Sequence, residues 1–124
     1  MIAGAMRSLF CILLLALSGA AANAADRLPI AMFGKWTTDL AACSEQSSEI
    51  VVTVEARSVN FYEHGYEIRR VTRLKDGALK ASGYSVDSDG RTRASITLKL
   101  LPADKLQVGS QIYERCKNQT GQAQ

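Results

Sequence analysis

The stretch of residues 91–101 restricts the possible folds of this chain more than any other. Ala94, Ile96, Leu98 and Leu100 alternate there with polar side chains. A period of two places one set of side chains in a core and the other in water, as in a half-buried β-strand. Shorter stretches on both sides have the same period. The sequence therefore predicts an all-β protein.

About eight strands are expected, and links of about two to four residues join nearly all of them. They cover residues 32–37, 49–55, 58–62, 66–74, 78–86, 91–101, 105–108 and 111–116. Short links force antiparallel neighbours, and about eight such strands can close into a barrel without edges. The predicted fold is a small antiparallel up-and-down barrel. A two-sheet sandwich is the alternative, but its Greek-key links are longer than most of those expected here.

Three local features modify this pattern. Ile68 and Val71 are an odd number of residues apart, which predicts a β-bulge at Arg69 and Arg70. Gly83, inside a strand, indicates a sharp bend or a close backbone contact. The loop 38–48 is expected to contain one helical turn that Asp39 caps.

The first 24 residues have the features of a secretory signal peptide. Arg7 supplies the positive charge, residues 9–17 form a short apolar core, and Ala22-Asn23-Ala24 is a small-x-small cleavage site. A membrane anchor is the alternative, although the apolar run is short for a spanning helix. We expect cleavage after Ala24, no stable membrane insertion afterwards, and a periplasmic or secreted protein. The barrel domain would occupy residues 25–117, and residues 118–124 would form a disordered tail.

Cysteine usage predicts one disulfide. Cys11 leaves with the signal peptide, so the mature chain keeps Cys43 and Cys116. Two cysteines in an exported protein imply a bridge between them, and two free buried thiols are the alternative. In a closed meander this bridge requires the loop after the first strand to fold back along the barrel. It would stabilise a small domain by roughly 4 kcal/mol.

Basic residues from three consecutive strands are expected to share one outer face with Tyr84. They are Arg69, Arg73, Lys80, Arg91, Arg93 and Lys99. Such a face would bind an anionic envelope component or an acidic protein partner. Alternatively, it is a solvated face that prevents sheet-to-sheet aggregation. Nucleic acid is not expected, because the few aromatic residues do not interleave with the basic ones.

No constellation of residues suggests catalysis. His64 is the only histidine, and no nucleophile or set of metal ligands accompanies it at a recognisable spacing. We therefore expect His64 to be a surface turn residue and the protein to have no catalytic residues, no metal and no cofactor. The sequence predicts that the protein is not an enzyme.

Gly34-Lys35-Trp36 resembles the Gly-x-Trp start of the calycin superfamily, which includes the lipocalins. The resemblance implies that Trp36 closes one end of the barrel and that Arg115, on the last strand, packs over its ring. An early Trp is similar to that of the Inh-type protease inhibitors, which are small periplasmic barrels.

A wider pattern is similar to a family of small exported proteobacterial proteins of unassigned activity. It consists of Phe33-x-Gly-x-Trp36, Cys43, Phe61-Tyr62-Glu63 and Tyr113-x-Arg115-Cys116. This resemblance implies a disulfide-tied barrel and supplies no catalytic role.

Two functions are compatible with these expectations. The first is a non-catalytic exported binding module, for example a protein inhibitor or an envelope interaction protein, that uses loops of a rigid scaffold. The alternative is a lipocalin-like carrier of a small apolar ligand. The carrier needs a hollow interior. We expect instead that the interior is filled by Ile50, Val52, Val54, Phe61, Ile96, Leu98 and Leu100.

Overall fold

The computed structural model describes residues 24–44 and 49–117, and these form nine β-strands and two short 3-10 helices. The strands are β1 (Ala24–Ala25), β2 (Gly34–Thr37), β3 (Val51–Glu55), β4 (Ser58–Asn60), β5 (Gly65–Arg73), β6 (Leu79–Asp87), β7 (Gly90–Leu101), β8 (Lys105–Val108) and β9 (Gln111–Arg115). The 3-10 helices are Ile30–Met32 and Leu40–Ser44. No helix in the described ranges is long and apolar enough to cross a membrane.

Strands β2 to β9 form a closed antiparallel barrel. Each of them pairs with the next strand in the chain, and β9 pairs with β2 to complete the ring. This confirms the predicted up-and-down barrel of eight strands. The short β1 is an addition that alternation could not reveal, and it pairs with the second half of β5.

Strand ends differ from the expected bounds by at most two residues. One two-residue difference is at the first barrel strand, where Ile30–Met32 forms a 3-10 helix and β2 begins only at Gly34. Gly34 has a φ of 122°, a conformation that glycine adopts readily and that turns the chain from the helix into the strand. The predicted signal peptide, apart from Ala24, and the predicted tail lie outside the described residues.

A single cluster of buried side chains occupies the barrel. Its members come from every barrel strand and from the segment before β2: Leu28, Met32, Trp36, Val52, Val54, Val59, Ile68, Val71, Leu79, Ala81, Leu98, Leu106, Val108 and Tyr113. Trp36 is fully buried, and its indole N–H donates to the Met32 carbonyl at 3.0 Å. Burial of this apolar area is the main stabilising contribution to the fold.

The predicted interior is correct in part. Val52, Val54 and Leu98 are buried, and Phe61 and Ile96 pack against the cluster while remaining partly exposed. The prediction is wrong for Ile50 and Leu100, because these residues are 37% and 38% exposed. Ile50 lies in the turn before β3. Leu100 lies beyond Leu98, the last residue of β7 that pairs with β6, so no strand covers it on that side.

The predicted disulfide is present. Cys43 and Cys116 are joined, with their Cα atoms 5.6 Å apart. The bridge is possible because the 3-10 helix Leu40–Ser44 brings Cys43 back along β2, where the Lys35 ammonium donates to the Cys43 carbonyl at 3.3 Å. The expected cap is also present, since Asp39 Oδ1 accepts the Ala41 N–H. The bridge thus fixes the β2–β3 loop to the end of the last strand.

The side chain of Arg115 fastens the N-terminal segment to the last strand. Its Cζ lies 4.2 Å from the centroid of the Trp36 ring. Its guanidinium donates to Asp104 Oδ1 at 2.9 Å, to the Phe33 carbonyl at 2.9 Å and to the Ala31 carbonyl at 2.8 Å. A planar group with several donors is needed for this arrangement, so we assign Arg115 and Trp36 a structural role.

Replacing Cys116 by Ser should lower the free energy of unfolding by about 4 kcal/mol, since the bridge spans 73 residues of chain. Urea unfolding under oxidising conditions measures this loss. Reductant should bring the wild type to the stability of the variant. Equal stability of the wild type with and without reductant would refute a stabilising role of the bridge.

An Arg115→Lys variant should lose about 2 kcal/mol of folding free energy, because an ammonium cannot donate to three acceptors and cover the indole at once. Arg57→Lys is the matched control. Arg57 pairs with Asp26 at 2.9 Å on the surface, and an exposed pair contributes less than about 1 kcal/mol. Similar unfolding midpoints for the two variants would contradict the assigned role of Arg115.

Candidate anion-binding groove

A groove of about 590 Å³ lies on the outer face of β5, β6 and β7. It is lined by four basic side chains, Arg69, Arg70, Lys80 and Arg93, by Tyr84, and by the small residues Ser82, Gly83, Ala94 and Ser95. The outward direction follows from β6, where Leu79 and Ala81 are buried in the core. Since side chains alternate along a strand, Lys80 and Ser82 point away from the core.

A β-bulge in β5 decides which arginines line this groove. The register shifts between Ile68 and Arg70, which confirms the predicted bulge. Ile68 and Val71 are both buried, so Arg69 is the extra residue that lets both of them face the core. Arg70 then lies directly opposite Ser82 on the outer face.

Gly83 allows β5 and β6 to approach closely at the bulge. A Cβ atom at this position would collide with the backbone carbonyl oxygen of Glu67 and would lie 3.1 Å from the Arg69 nitrogen. The predicted close backbone contact is therefore present. Only glycine fits here, and its presence lets β5, which carries Arg69 and Arg70, lie close against β6.

The predicted basic face is wrong at Arg73 and lacks Arg70. Arg73 lies opposite Leu79, whose side chain is buried, so Arg73 projects from the inward side at the barrel end. The bulge between Arg69 and Arg73 reverses the alternation, which is why counting in twos from Arg69 assigned Arg73 to the wrong face. The same reversal places Arg70 on the outer face, although the predicted set of basic residues did not include it.

Three basic side chains of this face form ion pairs with acidic residues. Arg91 contacts Glu67 at 2.9 Å and stacks over Tyr84, with its Cζ 4.1 Å from the ring centroid. Arg69 lies 3.7 Å from Glu67. Lys99 lies 3.8 Å from Asp76 in the β5–β6 turn. The Ala78 N–H, together with the charge of Lys99, holds the pKa of Asp76 below its usual value.

Three cations of the groove have no acidic partner within the described ranges. Arg70, Lys80 and Arg93 make no ion pair there, and all three are exposed. The positive charges of these three side chains repel one another. An anion that binds between them is attracted by all three and relieves this repulsion. The groove is therefore suited to hold a negatively charged group.

His64 lies in a different place, at the β4–β5 turn. Its ring stacks on Phe61 with the centroids 4.8 Å apart, and its carbonyl accepts the Phe61 N–H. Together with Glu49, Tyr62 and Glu63 these residues line a cavity of about 210 Å³. Within residues 24–44 and 49–117, no group of three or more His, Cys, Asp or Glu side chains is arranged to hold a metal ion.

Comparison of the chain with protein-family models, with curated proteins and with solved structures gives no match.

A Gly83→Ala variant should lose about 3 kcal/mol of folding free energy, because its methyl group meets backbone that cannot move without opening the β5–β6 ladder. Gly109→Ala is the control. Gly109 has a φ of 64° and open space around it, so the added methyl costs about 1 kcal/mol of backbone strain. Urea denaturation compares the two, and equal losses would contradict the close approach at Gly83.

Proposed function

We propose that this protein is a non-catalytic, exported binding module that holds a negatively charged partner in the outer groove of β5, β6 and β7. The observation that carries the proposal is the convergence of Arg70, Lys80 and Arg93, one from each strand, without acidic partners among the described residues. Guanidinium groups bind carboxylate, sulfate and phosphate through two parallel hydrogen bonds.

The rigidity of the scaffold supports recognition at this place. All three strands belong to a closed barrel, and the groove lies on paired strands rather than on loops. Side chains on such elements lose little further backbone freedom when a partner binds. The backbone of the groove is thus preorganised for binding.

The filled centre of the barrel supports binding on the outside. Trp36, Val52, Leu98 and Leu106 are fully buried and belong to one cluster. An interior ligand would have to displace side chains of this kind. Loss of the packing of one large buried side chain costs about 2–5 kcal/mol of folding free energy. For this reason we favour the binding module over the carrier.

Export is part of the proposal and has two supports. The N-terminal residues carry the charged, apolar and small-residue pattern of a signal peptide. The Cys43–Cys116 bridge is consistent with an oxidising compartment, where disulfides persist. In such a compartment the anionic partner would belong to the cell envelope or the extracellular medium.

Retention on a sulfated-polysaccharide column tests the groove. Arg70→Gln and Arg93→Gln should each weaken binding about fivefold or more, and should elute at lower NaCl concentration than the wild type. Arg73→Gln is the matched control, because it removes the same charge from the same sheet but from outside the groove.

The proposal requires Arg73→Gln to elute close to the wild type. If all three variants shift equally, retention reflects net charge and the groove is not the site. If the wild type is not retained at low salt, the proposed binding of anions is wrong.

A further inference from the structure

Two serines lie side by side in the middle of the groove. Ser82 of β6 is directly opposite Arg70 on β5 and directly opposite Ser95 on β7. These three residues form one row across the three strands, all on the outward face. Neither serine hydroxyl makes a hydrogen bond with a described residue. Each hydroxyl is therefore available to donate to a ligand.

The unpaired cations surround this pair. Lys80 lies two residues before Ser82, and Arg93 lies two residues before Ser95, on the neighbouring antiparallel strand. Because β6 and β7 run in opposite directions, Lys80 and Arg93 flank the serine row on opposite sides. Alternate residues of a strand are about 6.8 Å apart and neighbouring strands about 4.8 Å apart. The long Arg and Lys side chains can span such distances and converge above the serines.

Resting on the proposed function, we propose that the Ser82–Ser95 pair is the centre of a subsite for a single phosphate monoester group. Arg70 approaches from β5, Lys80 and Arg93 approach from opposite sides of the row, and the two hydroxyls approach from the protein surface. The ligand is a phosphate monoester of a sugar or of a lipid, and free inorganic phosphate, which has a similar charge, would occupy the same subsite.

The chemistry of the donors favours a phosphate monoester over a carboxylate and over a phosphate diester. Donors that converge from several directions suit a tetrahedral group with oxygens on all sides, whereas a planar carboxylate is satisfied by one guanidinium fork. A phosphate monoester carries between one and a half and two negative charges near pH 7, and three cations attract it more strongly than a singly charged diester. The guanidinium groups of Arg91 and Arg69 contact the Tyr84 ring, with their Cζ atoms 4.1 Å and 5.7 Å from its centroid, so they compete with a sugar for this ring.

Titration of the isotopically labelled protein with glycerol 3-phosphate, followed by amide chemical shifts, tests the subsite. We expect the largest shifts at the amides of Ser82, Ser95 and Arg93, smaller shifts with acetate, which carries one charge, and none with glycerol at equal concentration. The double variant Ser82→Ala with Ser95→Ala should raise the dissociation constant about fivefold or more. Ser110→Ala, in the exposed β8–β9 turn, should leave the dissociation constant unchanged.

Separate titrations distinguish the sources of the phosphate. Inorganic phosphate reports on the free anion, glycerol 3-phosphate on a soluble ester, and vesicles with phosphatidic acid on a lipid monoester. Vesicles with phosphatidylglycerol, a singly charged diester, serve as the control, at a lipid fraction that gives the same surface charge density. Serine-dependent binding of any of the three monoester or free-phosphate ligands, stronger than that of the control, supports the subsite.

Two results would overturn it. The first is an affinity for glycerol 3-phosphate that the serine double variant does not change. The second is the absence of shifts at the groove amides with all three phosphate sources. If either occurs while column retention still depends on Arg70 and Arg93, the phosphate subsite is wrong and the anion-binding groove remains.

Discussion

The pairing of β5 with β6 is the contact on which the rest of the structure depends. It joins the first half of the barrel to the second, and without it the sheet would have two open edges. The pairing runs through a bulge at Arg69, where Gly83 lets the two backbones come close together. The same irregularity that bends the sheet therefore also sets the face on which each arginine of β5 lies.

The stabilising contacts and the proposed binding groove lie on different parts of the molecule. The Cys43–Cys116 bridge and the Arg115–Trp36 contact hold the N-terminal segment, the β2–β3 loop and the last strand together. The basic groove lies on β5, β6 and β7, which carry neither of these devices. Because the barrel is stabilised elsewhere, the groove can keep like charges close together without unfolding the domain. An uncompensated cluster of this kind weakens folding and strengthens binding of an anion.

Much of the fold could be predicted from local sequence. Alternation and short links indicated the strands and their antiparallel order, and the odd spacing of Ile68 and Val71 indicated the bulge. Gly83 and the two cysteines were likewise interpretable one at a time, because each depends on a local or covalent requirement. Burial at the barrel ends was less predictable, as Leu100 shows, since exposure there depends on where the neighbouring strand begins.

The candidate site was predictable only in part. Lys80 and Arg93 follow regular alternation, so the sequence placed them on the outer face. The prediction included Arg73 and omitted Arg70, because it did not apply the reversal of alternation that the predicted bulge causes in the rest of β5. The availability of the Ser82 and Ser95 hydroxyls depends on contacts across three strands, and no short sequence window contains them.

Nuclear Overhauser effects between backbone protons of β5 and β6 in solution test whether the two strands pair through the bulge. The bulged register predicts contacts that place Arg70 opposite Ser82 and Val71 opposite Ala81, with Arg69 unpaired. A regular register would instead place Arg69 opposite Ser82 and Val71 opposite Lys80. That result would return Arg73 to the outer face and remove Arg70 from the groove, and the proposed anion site would be wrong.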